Sequence, residues 1–88
     1  MSWSYYGVGK AETVRAQAEK SLEATEKNCS NVPAEAKGVR AFAKALDAAC
    51  EDAKGQFVKA EGSGSAWQDG NKLKSYTLTA KIEVFEYN

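Results

Sequence analysis

The stretch EGSGSAWQDGN, Glu61 to Asn71, decides the fold of this chain. Its glycines and serines are typical of a flexible linker, but their alternation also fits a β-strand with small residues on one side and the serines and Trp67 on the other. In the strand interpretation, the glycines leave room on the covered face of a sheet for a helix backbone or for Tyr76 to lean across. We favour the strand, which then begins at Gln56 and continues to Trp67.

The segment that follows, Tyr76 to Val84, alternates apolar and polar residues and predicts a half-buried strand. An antiparallel register that places Lys59 opposite Glu83 makes every pair on the polar side compatible, and each such pair contributes about 0.2–1 kcal/mol. A shift that places Lys59 opposite Lys81 is less favourable. The favoured register leaves a loop from Asp69 to Leu73, and a bulge at Gly62 is an open alternative. It also pairs Phe57 with Phe85, Glu61 with Lys81, Ser63 with Thr79 and Ser65 with Thr77.

The rest of the chain predicts one more strand and two helices. Aromatic and β-branched residues favour a first strand from Ser2 to Val8. A helix from Lys10 to Asn28 carries a narrow apolar stripe, and a second from Pro33 to Lys54 carries a broad one before Gly55 ends it. The predicted fold is α+β with the order β-α-α-β-β: a three-stranded, mainly antiparallel sheet with a helical hairpin packed on one face. We favour the strand order 1-2-3, and a parallel pairing of the first and third strands is the alternative.

Length and composition limit the possible classes of protein. A chain of 88 residues encloses one core, so we expect a single domain over residues 1–88. The 43% hydrophobic content favours a folded protein, and twelve basic and twelve acidic residues give no net field to attract nucleic acid. The chain has no apolar run long enough to span a membrane and no signal-peptide pattern at its start. We therefore expect a cytoplasmic protein with no membrane partner.

The residue types needed for catalysis are scarce. There is no histidine, which removes the usual general base and the commonest metal ligand. Cys29 falls between the predicted helices and Cys50 lies about 25 Å along the second one, so we expect free thiols and no zinc site. The string GSGSAW lacks the spacing and the histidine partner of a hydrolase nucleophile motif. We expect a protein that is not an enzyme and that uses no cofactor and no metal.

One face of the predicted sheet is bare, because both helices cover the other. Aromatic side chains lie around serine and threonine hydroxyls on this bare face, a combination that is common in protein contact surfaces. The alternative is a solvated sheet face whose aromatic residues only pair across strands. The first strand adds either Trp3 and Tyr5 or Ser4 and Tyr6 to this face, and Tyr87 is a further candidate. The candidate binding residues are Phe57, Ser63, Ser65, Trp67, Thr77, Thr79 and Phe85.

Three segments resemble a group of small uncharacterised proteins of tailed bacteriophages and prophages. They are the opening MSWSYYGVGK, the helix start AETVRAQAE and the C-terminal VKAEGSGSAWQDGNKLKSYTLTAKIEV. The resemblance covers most of the chain, although its landmarks are short. It implies a phage protein that acts in the cytoplasm of a bacterial host and brings no established activity with it.

Three functional hypotheses follow. The leading one is a non-enzymatic, phage-like interaction module that binds a host or phage protein through the open sheet face or a sheet edge. The second is an oligomer that sequesters a nucleotide-like small molecule against the hydroxyls and an aromatic ring. The third is binding of single-stranded nucleic acid by stacking on the sheet aromatics, which the acidic residues nearby make unlikely on charge grounds.

Overall fold

The computed structural model describes residues 2–85 and has the predicted α+β architecture in the order β-α-α-β-β. All three predicted strands extend further than expected, β1 at its end and β2 and β3 towards the hairpin tip between them. Neither helix is long and apolar enough to cross a membrane, and the described part of the chain has no other helix. The elements are β1 (Ser2–Lys10), α1 (Ala11–Asn28), α2 (Pro33–Ala53), β2 (Phe57–Asp69) and β3 (Lys72–Phe85).

The three strands form one antiparallel sheet in the order β1-β2-β3, as we favoured. The predicted register between β2 and β3 is confirmed, because Lys59 pairs with Glu83 and the register holds without a break from Phe57 to Trp67. The linker interpretation of the glycine- and serine-rich stretch is therefore wrong. On the other side of β2, Ser2 of β1 pairs with Ser65.

The tip of the hairpin is tighter than the loop predicted from Asp69 to Leu73. Asp69 pairs with Lys72, so the turn consists of Gly70 and Asn71 alone. Gly70 has a φ of 65°, a left-handed conformation that two-residue hairpin turns require and that glycine adopts without strain. A bulge between Trp67 and Gln68 takes up the extra residue. The alternative bulge at Gly62 is wrong, since Gly62 pairs with Ala80 in the continuous register.

The glycines of β2 make room for large side chains beneath the sheet. A Cβ at Gly62 would lie 2.7 Å from the ring of Phe42 on α2, far closer than real side chains approach. A Cβ at Gly64 would collide with Trp3 and with the hydroxyl of Tyr76. Tyr76 thus leans across as we expected, but the helix supplies an aromatic ring to this space instead of its backbone.

The core lies between the helices and the strands β1 and β2. Phe42 and Leu46 of α2 are its largest fully buried apolar residues, and the rings of Trp3 and Tyr5 pack against Phe42 in tilted arrangements at centroid distances of 5.8 and 6.0 Å. Both cysteines are free and buried, and Cys50 packs in this core.

The helices leave most of β3 uncovered on the helix-bearing side of the sheet. Val58 and Ala60 of β2 are fully buried, whereas Leu78 and Val84 of β3 are 43% and 44% exposed. The molecule is correspondingly long and thin, with extents of 52 × 19 × 15 Å. The prediction of a half-buried third strand therefore holds only in part: Tyr76 and Ile82 are half-buried against the helices and the core, and the rest of this side is exposed.

Candidate functional site

The side of the sheet that faces away from the helices is called here the outer face. Strand alternation decides which residues of β1 belong to it: Trp3 is 7% exposed and points into the core, so Tyr6, at 61%, points outward. The alternative left open by the sequence is thereby settled in favour of Ser4 and Tyr6. No helix or loop among residues 2–85 covers this face. The outer face comprises Ser2, Ser4, Tyr6 and Val8 of β1, Phe57, Lys59, Glu61, Ser63, Ser65 and Trp67 of β2, and Ser75, Thr77, Thr79, Lys81, Glu83 and Phe85 of β3.

Exposed hydroxyl groups form the floor in the middle of the outer face. Ser63 lies between Ser4 and Thr79 in the two ladders, and Ser65 lies between Ser2 and Thr77. All of these side chains are exposed, and because they are short they leave a shallow surface between bulkier neighbours. The structure therefore brings together the four predicted hydroxyl residues, Ser63, Ser65, Thr77 and Thr79.

Aromatic and aliphatic side chains stand around this floor. Trp67, beside the hairpin tip, is 63% exposed, and Tyr6 and Val8 stand on β1. Phe57, which is half-buried, pairs with the exposed Phe85 at the opposite end of the sheet. The ten residue steps from Phe57 to Trp67 span about 33 Å, so the predicted site residues form an elongated strip and not one compact pocket. The further candidate Tyr87 lies outside the described residues.

Four charged residues of β2 and β3, here called the charge quartet, separate the hydroxyl floor from the Phe57–Phe85 pair. Lys59 Nζ lies 3.6 Å from Glu61 Oε1, and Lys81 Nζ lies 3.2 Å from Glu83 Oε1. Across the ladder Lys59 faces Glu83 and Glu61 faces Lys81, so each charge has opposite charges as neighbours. Such exposed pairs stabilise little, but they leave this part of the face without excess positive charge for phosphate.

A shallow depression of about 360 Å³ lies between the hydroxyl floor and the charge quartet. Tyr6 forms one wall, Ser63 and Thr79 lie in the floor, and Glu61 and Lys81 stand at the border. The depression is open to solvent. It offers a ligand an aromatic ring, two hydroxyl groups, one carboxylate and one ammonium group.

Sequence reasoning missed two features of interest. The first is Tyr6, which was only one of two options, although the burial of Trp3 fixes its side of the strand. The second is Glu35 in the first turn of α2, which is 0% exposed and whose two carboxylate oxygens have only the weakly donating thiol of Cys29 beside them among the described residues. Alternation of apolar residues along the helix could not reveal it, because a glutamate at this position is usually an exposed residue near the positive helix end.

Burial also changes the acidity of three groups below the sheet. It raises the pKa of Cys29, with a further contribution from the nearby charge of Glu35, and it raises the pKa of Cys50 and Tyr5. The thiols are therefore held in the unreactive protonated form. Within residues 2–85 there is no cluster of three or more His, Cys, Asp or Glu side chains that could hold a metal ion.

No protein-family model, no curated protein and no solved structure matches this chain.

Proposed function

We propose that this chain is a non-catalytic interaction module that binds a partner protein through its outer face. The observation that supports this most is the group of large exposed apolar residues there, Tyr6, Val8, Trp67 and Phe85, around a floor of hydroxyls. Protein contact surfaces combine such aromatic anchors with polar groups that pair on binding.

The rigidity of the sheet favours this role. Tyr6 stands directly opposite Glu61 on a strand whose other face is locked into the core by Trp3. A ring held on a paired strand loses little conformational freedom when a partner covers it, so more of its burial energy remains for binding. The hydroxyls of Ser63 and Thr79 can donate to or accept from a partner's polar groups, which makes the floor tolerant of different contacts.

The partner class follows from the resemblance noted in the sequence. Small phage proteins act in a bacterial cytoplasm, so we propose that the partner is a protein of the bacterial host or of the phage. In this proposal the protein acts by binding to its partner and covering part of the partner's surface, without catalysis.

The depression beside Tyr6 favours a second candidate function, sequestration of a nucleotide-like small molecule. A base could stack on Tyr6 while Ser63 and Thr79 bind ribose or phosphate oxygens and Lys81 offsets negative charge. Native mass spectrometry of protein purified gently from bacteria tests this candidate. Stoichiometric extra mass would support it, and a bare chain would count against it.

Affinity capture from bacterial lysate tests the leading proposal. The immobilised wild-type protein is compared with Tyr6→Ala and Trp67→Ala, and with Lys20→Ala on the exposed side of α1 as a matched control. We expect both outer-face variants to lose the captured protein and the control to retain it, with unchanged far-UV circular dichroism in all three. Equal capture by all variants would overturn the use of this face.

A further inference from the structure

The outer edge of β3 is long and open. This strand has 14 residues and, within residues 2–85, pairs only with β2. An edge strand exposes a row of backbone N–H and C=O groups that can pair with another strand, and natural proteins usually shorten, charge or cover such edges. The stretch from Ser75 to Ala80 carries no charge, so this part of the edge has no such protection.

Apolar side chains lie next to that edge on the helix-bearing side. Leu78 and Val84 are nearly half exposed and Ala80 between them is also exposed. Their partners on β2, Gly64, Val58 and Gly62, are all buried. The apolar surface therefore continues past the point at which the protein's own helices stop covering it.

Helix α2 presents small residues towards the same edge. Gly38 faces β3, because a Cβ at Gly38 would collide with the hydroxyl of Tyr76. Residues three, four and seven positions away share that side of a helix, which places Ala34, Ala41 and Ala45 along it. Ala41 and Ala45 are exposed. A second helix could approach this side closely, since only methyl groups project from it.

We propose that these surfaces join two copies of the chain in an antiparallel dimer, with β3 pairing to β3 about a two-fold axis at Ile82. The three strands of each copy then form one continuous sheet of six, and the helices of both copies lie on the same side. On the helix-bearing side, the exposed residues Ala80 and Val84 of the two copies then meet on either side of the axis and form a shared apolar surface.

The charge quartet favours this register over the two registers centred one residue to either side. With Ile82 opposite Ile82, Lys81 of each copy faces Glu83 of the other, and the alternation already present between β2 and β3 continues across the new ladder. A shift that centres the pairing on residue 81 places lysine opposite lysine, and one centred on residue 83 places glutamate opposite glutamate. On the inner side Ala80 meets Val84, a small residue against a larger one, as Ala60 meets Ile82 within each chain.

The positions of the two α2 helices are also compatible with a two-fold axis at Ile82. Gly62 of β2 contacts Phe42 of α2, and the hydroxyl of Tyr76 contacts both Gly64 of β2 and Gly38 of α2. A move of two residues along β2 therefore matches a move of four residues along α2. Ala60, the partner of Ile82, is therefore level with Ala45 or its next neighbour. The two-fold axis then brings Ala45 of one copy beside Ala45 of the other. It also brings the helix end that carries Lys37 towards the end that carries Asp52 in the other copy, a further pairing of opposite charges.

Charge-reversal variants at the edge test the dimer. Sedimentation equilibrium over roughly 1–100 µM should give twice the 9.5 kDa chain mass for the wild type. Lys81→Glu places only acidic residues across the two-fold ladder and Glu83→Lys places only basic ones, so we expect each variant alone to dimerise at least tenfold more weakly. An equimolar mixture of the two should recover a heterodimer, because every cross-copy pair is then again of opposite charge.

Matched controls separate the interface from general effects on the fold. Lys59→Glu changes a charge of the same quartet on the central strand, away from the edge, and should leave the dimer intact. Tyr6→Ala and Trp67→Ala should do so as well, which keeps this test distinct from that of partner capture. Ala45→Glu should weaken the dimer through the helices. A wild-type monomer at 100 µM, or a mixture of the two variants that stays monomeric, would overturn the proposal.

Discussion

The indole N–H of Trp3 donates a hydrogen bond to the hydroxyl oxygen of Tyr76 at 3.2 Å, and so joins the first strand to the last across the backbone of Gly64. The central strand can be crossed in this way only because Gly64 has no side chain. A sequence feature that looks like flexibility is therefore the place where the three strands are held together.

Replacing Gly62 with alanine should destabilise the protein. The new methyl group would lie 2.7 Å from the ring of Phe42, which is boxed in by Trp3 and Tyr5. Overpacking of this kind costs about 1–3 kcal/mol. Urea denaturation followed by circular dichroism would measure the loss, and Ser63→Ala on the outer face should change the free energy of unfolding by no more than about 0.5 kcal/mol. Equal effects of the two substitutions would contradict the packing described for Gly62.

Replacing Tyr76 with phenylalanine should also lower stability, by removing one hydroxyl. The Trp3 N–H would then be left without its partner in a site that is 7% exposed. Leaving such a buried donor unsatisfied costs about 1–3 kcal/mol. The control is Tyr6→Phe, which removes the same hydroxyl from the exposed outer face. Thermal denaturation that gives the two variants the same midpoint would show that the Trp3–Tyr76 bond contributes nothing.

Replacing Glu35 with leucine should stabilise the protein. Its carboxylate is fully buried with only the weakly donating thiol of Cys29 beside it among the described residues, whereas leucine has no polar atoms to satisfy. Removing an unsatisfied buried polar group gains about 1–3 kcal/mol, and one kcal/mol raises the melting temperature of a domain this size by about 4–8 °C. Glu12→Leu on the exposed side of α1 is the control. A fall in melting temperature for Glu35→Leu would mean that this carboxylate stabilises the fold.

Stability should fall on the alkaline side. Burial raises the folded-state pKa of Cys29 and Cys50 above the ordinary value of 9.0, and that of Tyr5 above 10.0. Above about pH 9 the unfolded chain therefore releases its thiol protons while the folded chain keeps them, so unfolding becomes more favourable as pH rises. Urea midpoints measured from pH 7 to 10 should be level at first and then decline. A variant with both cysteines replaced by alanine should decline less, and a decline of the same slope would rule out the thiols as its cause.

The sequence predicts the pairing of β2 and β3 well because the evidence for it is redundant. Lys59, Glu61, Lys81 and Glu83 are compatible in one register and in conflict in its neighbours, and the small inner residues of β2 agree with it. Charge and size thus gave two independent constraints on the same alignment. The register at the hairpin tip was not predictable in this way. The bulge after Trp67 shifts the pairing by one residue, and no residue type there indicates it.

The candidate site was only partly predictable, since alternation along a strand does not identify its buried side. Aromatic residues occupy both sides of β1, so the sequence allows either Trp3 or Tyr6 on the outer face. The packing of Trp3 against Phe42 in the core decides between them. For β3, alternation identified Leu78 and Val84 as an apolar side but not how far the helices reach. The helices lie over β1 and β2, and this sideways position on the sheet is set by tertiary packing, which the alternation of residues along a strand does not encode.

The pairing of Ser2 with Ser65 also fixes the order in which the chain can assemble. On the ribosome, β1 emerges before both helices, so it has no strand to pair with until α1, α2 and β2 have been made. The α1–α2 hairpin and the β2–β3 hairpin each rely on neighbours close in sequence and can form before it. Trp3 is thus among the last residues to find its native contacts, and it closes the core only after the α1–α2 and β2–β3 hairpins have both been synthesised.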